Sequence, residues 1–414
     1  MRIKHLLSII PLICLVHISS AQSNLKAGIW RGELKTKSGN LLPFNFDVKD
    51  VTAKHQELFI HNGAERFAVT DIKQKGDSVF IHMPLFNSEF KLNNNKDCLK
   101  GQWIKHYADH DMVMDFDAVP GINWRFVNNP APAKFNITGL WSSIFVNEKG
   151  KPDTTVGEFQ QTASRLTGTF LTTTGDYRYL EGTVDGNKLH LSTFDGGHAF
   201  LFTADIKDNK TIVNGAYYDG YDDAEKWTAY RNPKAALPDA YSLTKLKPGL
   251  KKIAFTFPDL NGKKVSLTDP KYKNKVVIIQ MMGSWCPNCM DETNFLVNGG
   301  YYKKYHPKGV EIIGLAYERT TDFNKSKTTL TQLKNRFNIP YTLLITGYTP
   351  AKGDPLKSLP ALENYKGFPT TIIIDKKGNV SKIHTGFSGP GTGKYYTEFV
   401  AEFEKLTDNL LAEK

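Results

Sequence analysis

Two hydrophobic patterns divide the chain. From residue 25 to 232, short apolar and aromatic runs alternate with Gly, Asn and Asp turns, the signature of antiparallel β structure. From residue 250 onward the apolar runs become continuous. Val276-Val277-Ile278-Ile279 and the GVEIIGLA run from Gly309 to Ala316 read as strands buried on both faces of a sheet. Thr329 to Phe337 reads as a helix stopped by Asn338-Ile339-Pro340, and Tyr395 to Leu411 as an amphipathic closing helix. Asn261-Gly262, between Ile253–Leu260 and Lys264–Leu267, predicts a hairpin, as does Lys376 to Asn379 between Thr370–Ile374 and Val380–His384. Parallel strands with helical crossovers make this half an α/β fold. Between the halves, residues 233–249 (PKAALPDAYSLTKLKPG) hold three prolines and no periodicity, which reads as a linker.

The β-rich half repeats itself. Gly28-Ile29-Trp30 returns as Gly139-Leu140-Trp141, Arg66-Phe67 as Arg178-Tyr179, Gly76 as Gly186, Leu99-Lys100-Gly101 as Val213-Asn214-Gly215, and Phe116-Asp117-Ala118 as Trp227-Thr228-Ala229. A single offset of about 110 residues joins these pairs, so two β modules are expected, at residues 24–121 and 134–232. Gly-x-Trp opening a first strand resembles the start of lipocalin-like and avidin-like barrels, where an Arg from the last strand packs on the Trp. Trp141 with Arg231 fits that arrangement, whereas Arg125 lies beyond the last matched strand of the first module. A plain sandwich with a core Trp is the other reading. Barrels of this size are commonly filled by their own side chains.

The strand from Val276 ends at Gly283-Ser284, and Trp285 leads into Cys286-Pro287-Asn288-Cys289. Proline is tolerated there if Cys286 opens a helix, because the first turn has no N–H partner to lose. A cysteine at a helix N-terminus sits where unpaired N–H groups stabilise a thiolate. Cys286 is therefore the candidate nucleophile. Cys289, one turn further in, is the candidate that resolves a mixed disulfide.

At 414 residues the chain suits two or three domains. The formal charge of +11 is spread without basic blocks, which argues against a nucleic-acid partner. Arg2 and Lys4, the apolar stretch Leu6 to Ile18 and Ser19-Ser20-Ala21 make residues 1–21 a cleavable export signal, from which an exported, periplasmic location is expected. Cys14 follows Pro11-Leu12-Ile13, without the small residue that precedes a lipidated cysteine, so a lipid anchor is the lesser reading. No later run reaches the ~20 apolar residues that span a bilayer. Cys98, Cys286 and Cys289 are too few for a disulfide scaffold, so the close pair is there for chemistry and Cys98 is expected as a small hydrophobe in a strand. His61, His82, His106, His110 and His190 are scattered without metal spacing, and a zinc reading of the cysteines would need two more ligands. No metal and no cofactor are expected.

With these elements in order, GSWCPNCMDE (residues 283–292) resembles the thioredoxin fold, and within it the TlpA/ResA-like branch of exported thiol-disulfide oxidoreductases, over roughly Leu250 to Lys414. A peroxiredoxin Pro-x-x-x-Thr-x-x-Cys pattern is absent around Cys286. The resemblance implies a Cys286–Cys289 disulfide in the oxidised state and a cis-proline at Pro369, within Gly367-Phe368-Pro369-Thr370-Thr371; X–Pro bonds are the ones for which cis is inexpensive. It also implies that Glu292, three residues after Cys289 on one helix face, tunes the pair. Gln280 stands where thioredoxin itself carries a buried acid, leaving Glu292 as the nearer proton-transfer candidate. Trp285, Pro287 and Phe368 are the candidate substrate contacts. Trp285 would pack beside the site and Phe368 would present backbone to a peptide strand. Thr342 to Tyr365 follows the branch loosely, so this loop is expected to set substrate choice.

The expected architecture is thus multidomain: two β modules, barrel or sandwich, then a linker and a thioredoxin-like domain at residues 250–414. The expected activity is an exported thiol-disulfide oxidoreductase. Its partners would be disulfide-containing proteins and a membrane or exported thiol electron donor. Reduction is the direction the branch implies, with an oxidant or isomerase as the alternative. A protein whose β modules bind a ligand or partner as their main task is the alternative of another class.

Overall fold

The computed structural model describes residues 24–413, apart from 53–54, 96, 108–109, 148 and 221–223. The segment read as a signal, with Cys14, lies outside the described residues. Among the described residues, no helix is long and apolar enough to cross a membrane.

The N-terminal region is all-β, and each module has its own sheet of nine strands. In the first, Gly28–Lys35 pairs with both Leu41–Thr52 and Asp111–Pro120. Glu65–Val69 and Asp71–Lys75, consecutive in the chain, lie at its two edges, which rolls the sheet without joining them. In the second, Pro152–Thr162 pairs with Arg165–Thr172 as well as with Gly139–Val146, and this extra pairing closes a barrel. Alternate positions point inward, as the pleat requires. Phe145, Phe170, Phe202 and Trp227 fill the barrel with ring-on-ring contacts, and Trp141 is buried in the same core.

The repeat has a backbone basis. Gly28 and Gly139 open their strands at φ 111° and 117°, where a Cβ is disfavoured, and each is followed by a fully buried Trp. Arg231 lies over the Trp141 ring at 4.6 Å, and Trp141 donates its indole N–H to the Ile137 carbonyl. Arg125 does not repeat this. It is buried between the modules, donating to the carbonyl of His61 and to Ser192. The Arg66 and Arg178 match also breaks down, since Arg66 lies in a strand while Arg178 lies between strands at φ 58°. Cys98 departs from expectation too. It occupies the turn before Leu99–His106, half-buried, with its N–H and thiol both directed at the Asn95 side chain.

The modules interlock. Phe194 belongs to the second sheet but packs in the core of the first, against Phe44, Phe90 and Trp103. Asn62 holds it there, donating to the Phe194 carbonyl and accepting its N–H.

The C-terminal region is a thioredoxin-like α/β domain with a five-stranded sheet. Val276–Met282 runs parallel to Val310–Ala316 and antiparallel to Thr370–Ile374, and all seven of its residues are buried. Pro287–Val297 starts immediately after Cys286, and Lys394–Ala412 closes the domain. The middle helix is Phe323–Phe337, longer than its apolar periodicity predicts, because Asp322 caps it by accepting the Lys325 N–H. The first hairpin is shorter than expected, with strands only at Thr256–Pro258 and Lys264–Ser266. The proline-rich 233–249 segment lies against the domain: Lys245–Leu246 pairs with Leu362–Glu363, and Tyr241 packs edge-on against His384.

Phe170 meets Phe145, Phe159, Tyr177, Phe202 and Trp227 in the closed barrel. Phe170→Ala is expected to cost about 3–5 kcal/mol, measured by urea unfolding followed through tryptophan fluorescence.

Candidate active site

The sequence around the cysteines folds as a buried strand, a pinned loop and a helix. Gly283 lets the Trp285 indole fold back, since a Cβ there would stand 2.2 Å from Trp285 Nε1. The indole N–H donates to the Tyr317 carbonyl at 2.8 Å, and Ser284 donates from its N–H and hydroxyl to buried Glu318. Cys286 is the N-cap of the Pro287–Val297 helix, and its sulfur accepts the Cys289 N–H at 3.3 Å. This contact holds donor density on the Cys286 sulfur, as favours a thiolate. The two cysteines are joined as a disulfide with Cα atoms 5.3 Å apart. Cys286 is 4% exposed and Cys289 fully buried.

Glu292 is buried one turn beyond Cys289. Thr371 and Gln280 both donate to its carboxylate, and Gln280 also reaches the Cys289 carbonyl at 3.2 Å. Burial pushes the Glu292 carboxyl up to about 7, against those two hydrogen bonds. Gln280 thus acts as a neutral bridge from the acid to the cysteine helix. The Phe368–Pro369 peptide bond is cis, and Pro369 accepts the Gly386 N–H at its carbonyl. Phe368 does not present its ring to solvent. The ring is enclosed by Trp285, Tyr317 and Tyr365, so any contact with a peptide falls to its backbone.

Residues 342–365 do not form the wall of the cleft beside the cysteines. A cavity of about 790 Å³ there is lined by Trp285, Pro287 and Asn288 on one side and by β-module residues such as Tyr107, Met112 and His198 on the other. The Arg319 guanidinium stacks between the Trp285 and Tyr107 rings, 4.9 and 5.2 Å from their centres. Single-sequence patterns carry no trace of this wall.

The main residue missed from sequence is Arg178. It is buried in the second module and joins all three parts of the molecule. It reaches Glu65 of the first module at 2.6 Å, Asp195 of its own at 3.4 Å and Asp291 of the cysteine helix at 2.7 Å. Asp176 accepts the Arg178 N–H and also the Gly389 N–H from the thioredoxin-like domain. One guanidinium cannot neutralise these carboxylates together. Asp291 is consequently pushed up to about 7 by burial, with Arg178 opposing and Asp176 and Glu65 adding to the rise. Burial raises Asp195 as well, but His198 and Arg178 outweigh it and hold this acid well below the usual range. The sign for stability follows. Asp291 and Glu292 titrate higher folded than unfolded, so their contribution is full below about pH 4 and is lost as pH rises to about 7.

The fold and site define a thioredoxin-like thiol-disulfide oxidoreductase domain. Residues 247–398 match the Redoxin family. Relatives named thiol-disulfide oxidoreductase ResA are 26% identical over 142 residues in Halalkalibacterium halodurans and 29% over 132 residues in Geobacillus thermodenitrificans. These alignments take in 34% and 32% of this chain, and the chain spans 69% and 66% of the relatives' own lengths, about two thirds. Solved structures that align include a thioredoxin-family thiol:disulfide interchange protein from Chlorobium tepidum (20% identity, 41% of this chain and 99% of that one, TM-score 0.30). Another is a thiol-disulfide oxidoreductase from Bacteroides fragilis (16% identity, 36% and 98%, TM-score 0.27).

Removing one partner of a buried charge cluster leaves the others uncompensated. Arg178→Gln is expected to cost about 3–5 kcal/mol and to speed proteolysis between the second module and the thioredoxin-like domain, read by limited trypsin digestion.

Proposed function

We propose that the protein is an exported reductant of disulfides, working through Cys286 and Cys289. The observation that carries this reading is the Cys286 sulfur capping a helix and accepting the Cys289 N–H, with a buried acid one turn behind. The Cys286 thiolate attacks a substrate disulfide, forming a mixed disulfide and releasing one substrate thiolate. Glu292 takes the Cys289 proton, and the Cys289 thiolate attacks Cys286 Sγ. That step expels the second substrate thiolate and leaves the Cys286–Cys289 disulfide. Two electrons have passed to the substrate, and a dithiol donor restores the pair. Glu292, poised near 7, suits either direction of that transfer. Pro369 and the Phe368 backbone flank the approaching chain, with Trp285 and Pro287 forming the adjacent wall. Export rests on the pattern of residues 1–21. Reduction is preferred over oxidation because it is the direction implied by the TlpA/ResA-like branch that residues 283–292 resemble.

Cys286→Ser is expected to abolish turnover of a model-peptide disulfide, and undiminished turnover would overturn the reading. Cys289→Ser is expected to accumulate a mixed disulfide on non-reducing gels. Glu292→Gln should lower turnover about 10²-fold and remove the inflection near pH 7 from the rate profile.

A further inference from the structure

A turn from the second β module lies on the redox centre. Arg165–Thr172 and Gly175–Asp176 form a hairpin whose tip, Thr173-Thr174, projects onto the thioredoxin-like domain. Three contacts position it, each at a residue with little or no side chain in the way. A Cβ on Gly386 would lie 2.8 Å from the Thr173 carbonyl oxygen, and one on Gly367 would lie 2.7 Å from Thr174 Cγ2. A Cβ on Gly175 would collide with the Asn288 side chain at 2.1 Å. Gly386 and Gly367 flank the Phe368–Pro369 segment, and Asn288 stands between the two cysteines. The turn therefore crosses the space between the proline loop and the cysteine loop. Asp176 fixes it at both ends, its N–H directed at Asn288 Oδ1 and its carboxylate accepting the Gly389 N–H. Arg178 adds the ion pair to Asp291.

The open side is small. The cavities beside the site, of about 790 and 670 Å³, are each the size of a small-molecule site, of roughly 300–1,000 Å³. Docking a folded protein calls for a surface of about 800 Å² per partner, and the β modules stand where that surface would lie. The near-complete burial of Cys286 agrees.

From this arrangement, and resting on the oxidoreductase reading above, we infer that the Thr172–Asp176 turn gates the redox centre. The cleft beside Trp285 and Pro287 is the route to Cys286. The substrate is a disulfide carried on a small molecule or a short flexible segment, not on a folded surface.

The test uses reduced protein of residues 22–414 carrying Cys289→Ser. It compares alkylation by N-ethylmaleimide and by 5-kDa polyethylene-glycol maleimide at Cys286, with half-buried Cys98 as the internal reference. If the open form is about 10% populated or less, the polymer should slow modification of Cys286 at least tenfold more than that of Cys98. Equal slowing at both thiols would overturn the gate. Gly175→Leu, whose side chain would strike Asn288, and Asp176→Ala should each collapse the difference; a difference that survives both would also overturn it. With Cys289 intact, oxidised glutathione and an unstructured cystine peptide are compared with the surface disulfide of a folded protein. Turnover of glutathione alone identifies a small-molecule source, and turnover of both identifies flexible segments. Equal turnover of the folded protein would overturn the substrate class. Alkylation reads access and not turnover, so failure of the gate and failure of the oxidoreductase reading are distinguishable.

Discussion

The arrangement of this molecule depends on how one buried cation is shared. The Arg178 guanidinium draws Glu65, Asp195 and Asp291 to itself from the first module, the second module and the cysteine helix. A buried guanidinium without partners would be strongly unfavourable, so the three parts must meet for its charge to be compensated. Arg suits this position because its planar fork presents separate N–H groups to separate carboxylates. The surplus of negative charge is relieved by protonation, most readily at Asp291. The residue that positions the cysteine helix is therefore also one whose charge depends on the surroundings of the β modules.

The two acids in the second turn of the cysteine helix divide their tasks by direction. Asp291 faces outward to the modules, while Glu292 faces inward to Gln280 and Thr371 beneath the cysteines. Both are raised by burial, but only Asp291 has a cation beside it. Adjacent positions on a helix point about 100° apart, which is how one short sequence, Met290-Asp291-Glu292, serves the domain interface and the redox pair together.

Much of the thioredoxin-like domain was legible because its signals are local. An unbroken Val-Ile run, a Gly-Ser break and a cysteine before proline specify strand, loop and helix within a dozen or so residues. The middle helix is longer than its apolar pattern predicts because Phe323 to Thr328 is mostly polar, and only the Asp322 cap marks its true start. The Asn261-Gly262 turn signal extends the hairpin back to Ile253, yet Ile253 and Phe255 are buried outside any strand. In the modules, Gly-x-Trp locates both first strands, but the repeat register pairs Arg178 with Arg66, whose place it does not share. Its partners Glu65 and Asp291 each lie 113 residues away, and no periodic pattern reports such a pairing. The wall over the cysteines escaped for the same reason, being made by tertiary contacts between domains.

Phe194 has a consequence for the order in which the chain can fold. The first module's core is completed by a ring that the ribosome delivers later, and Asn62, which secures it, is separated from it by 132 residues. Until that ring arrives, Phe44, Phe90 and Trp103 lack the neighbour that seals them. Closure over so long a loop is slow, and the apolar rings stay exposed in the meantime. The N-terminal module is thus a kinetic client of its successor, an asymmetry that the near-identical spacing of the two repeats conceals.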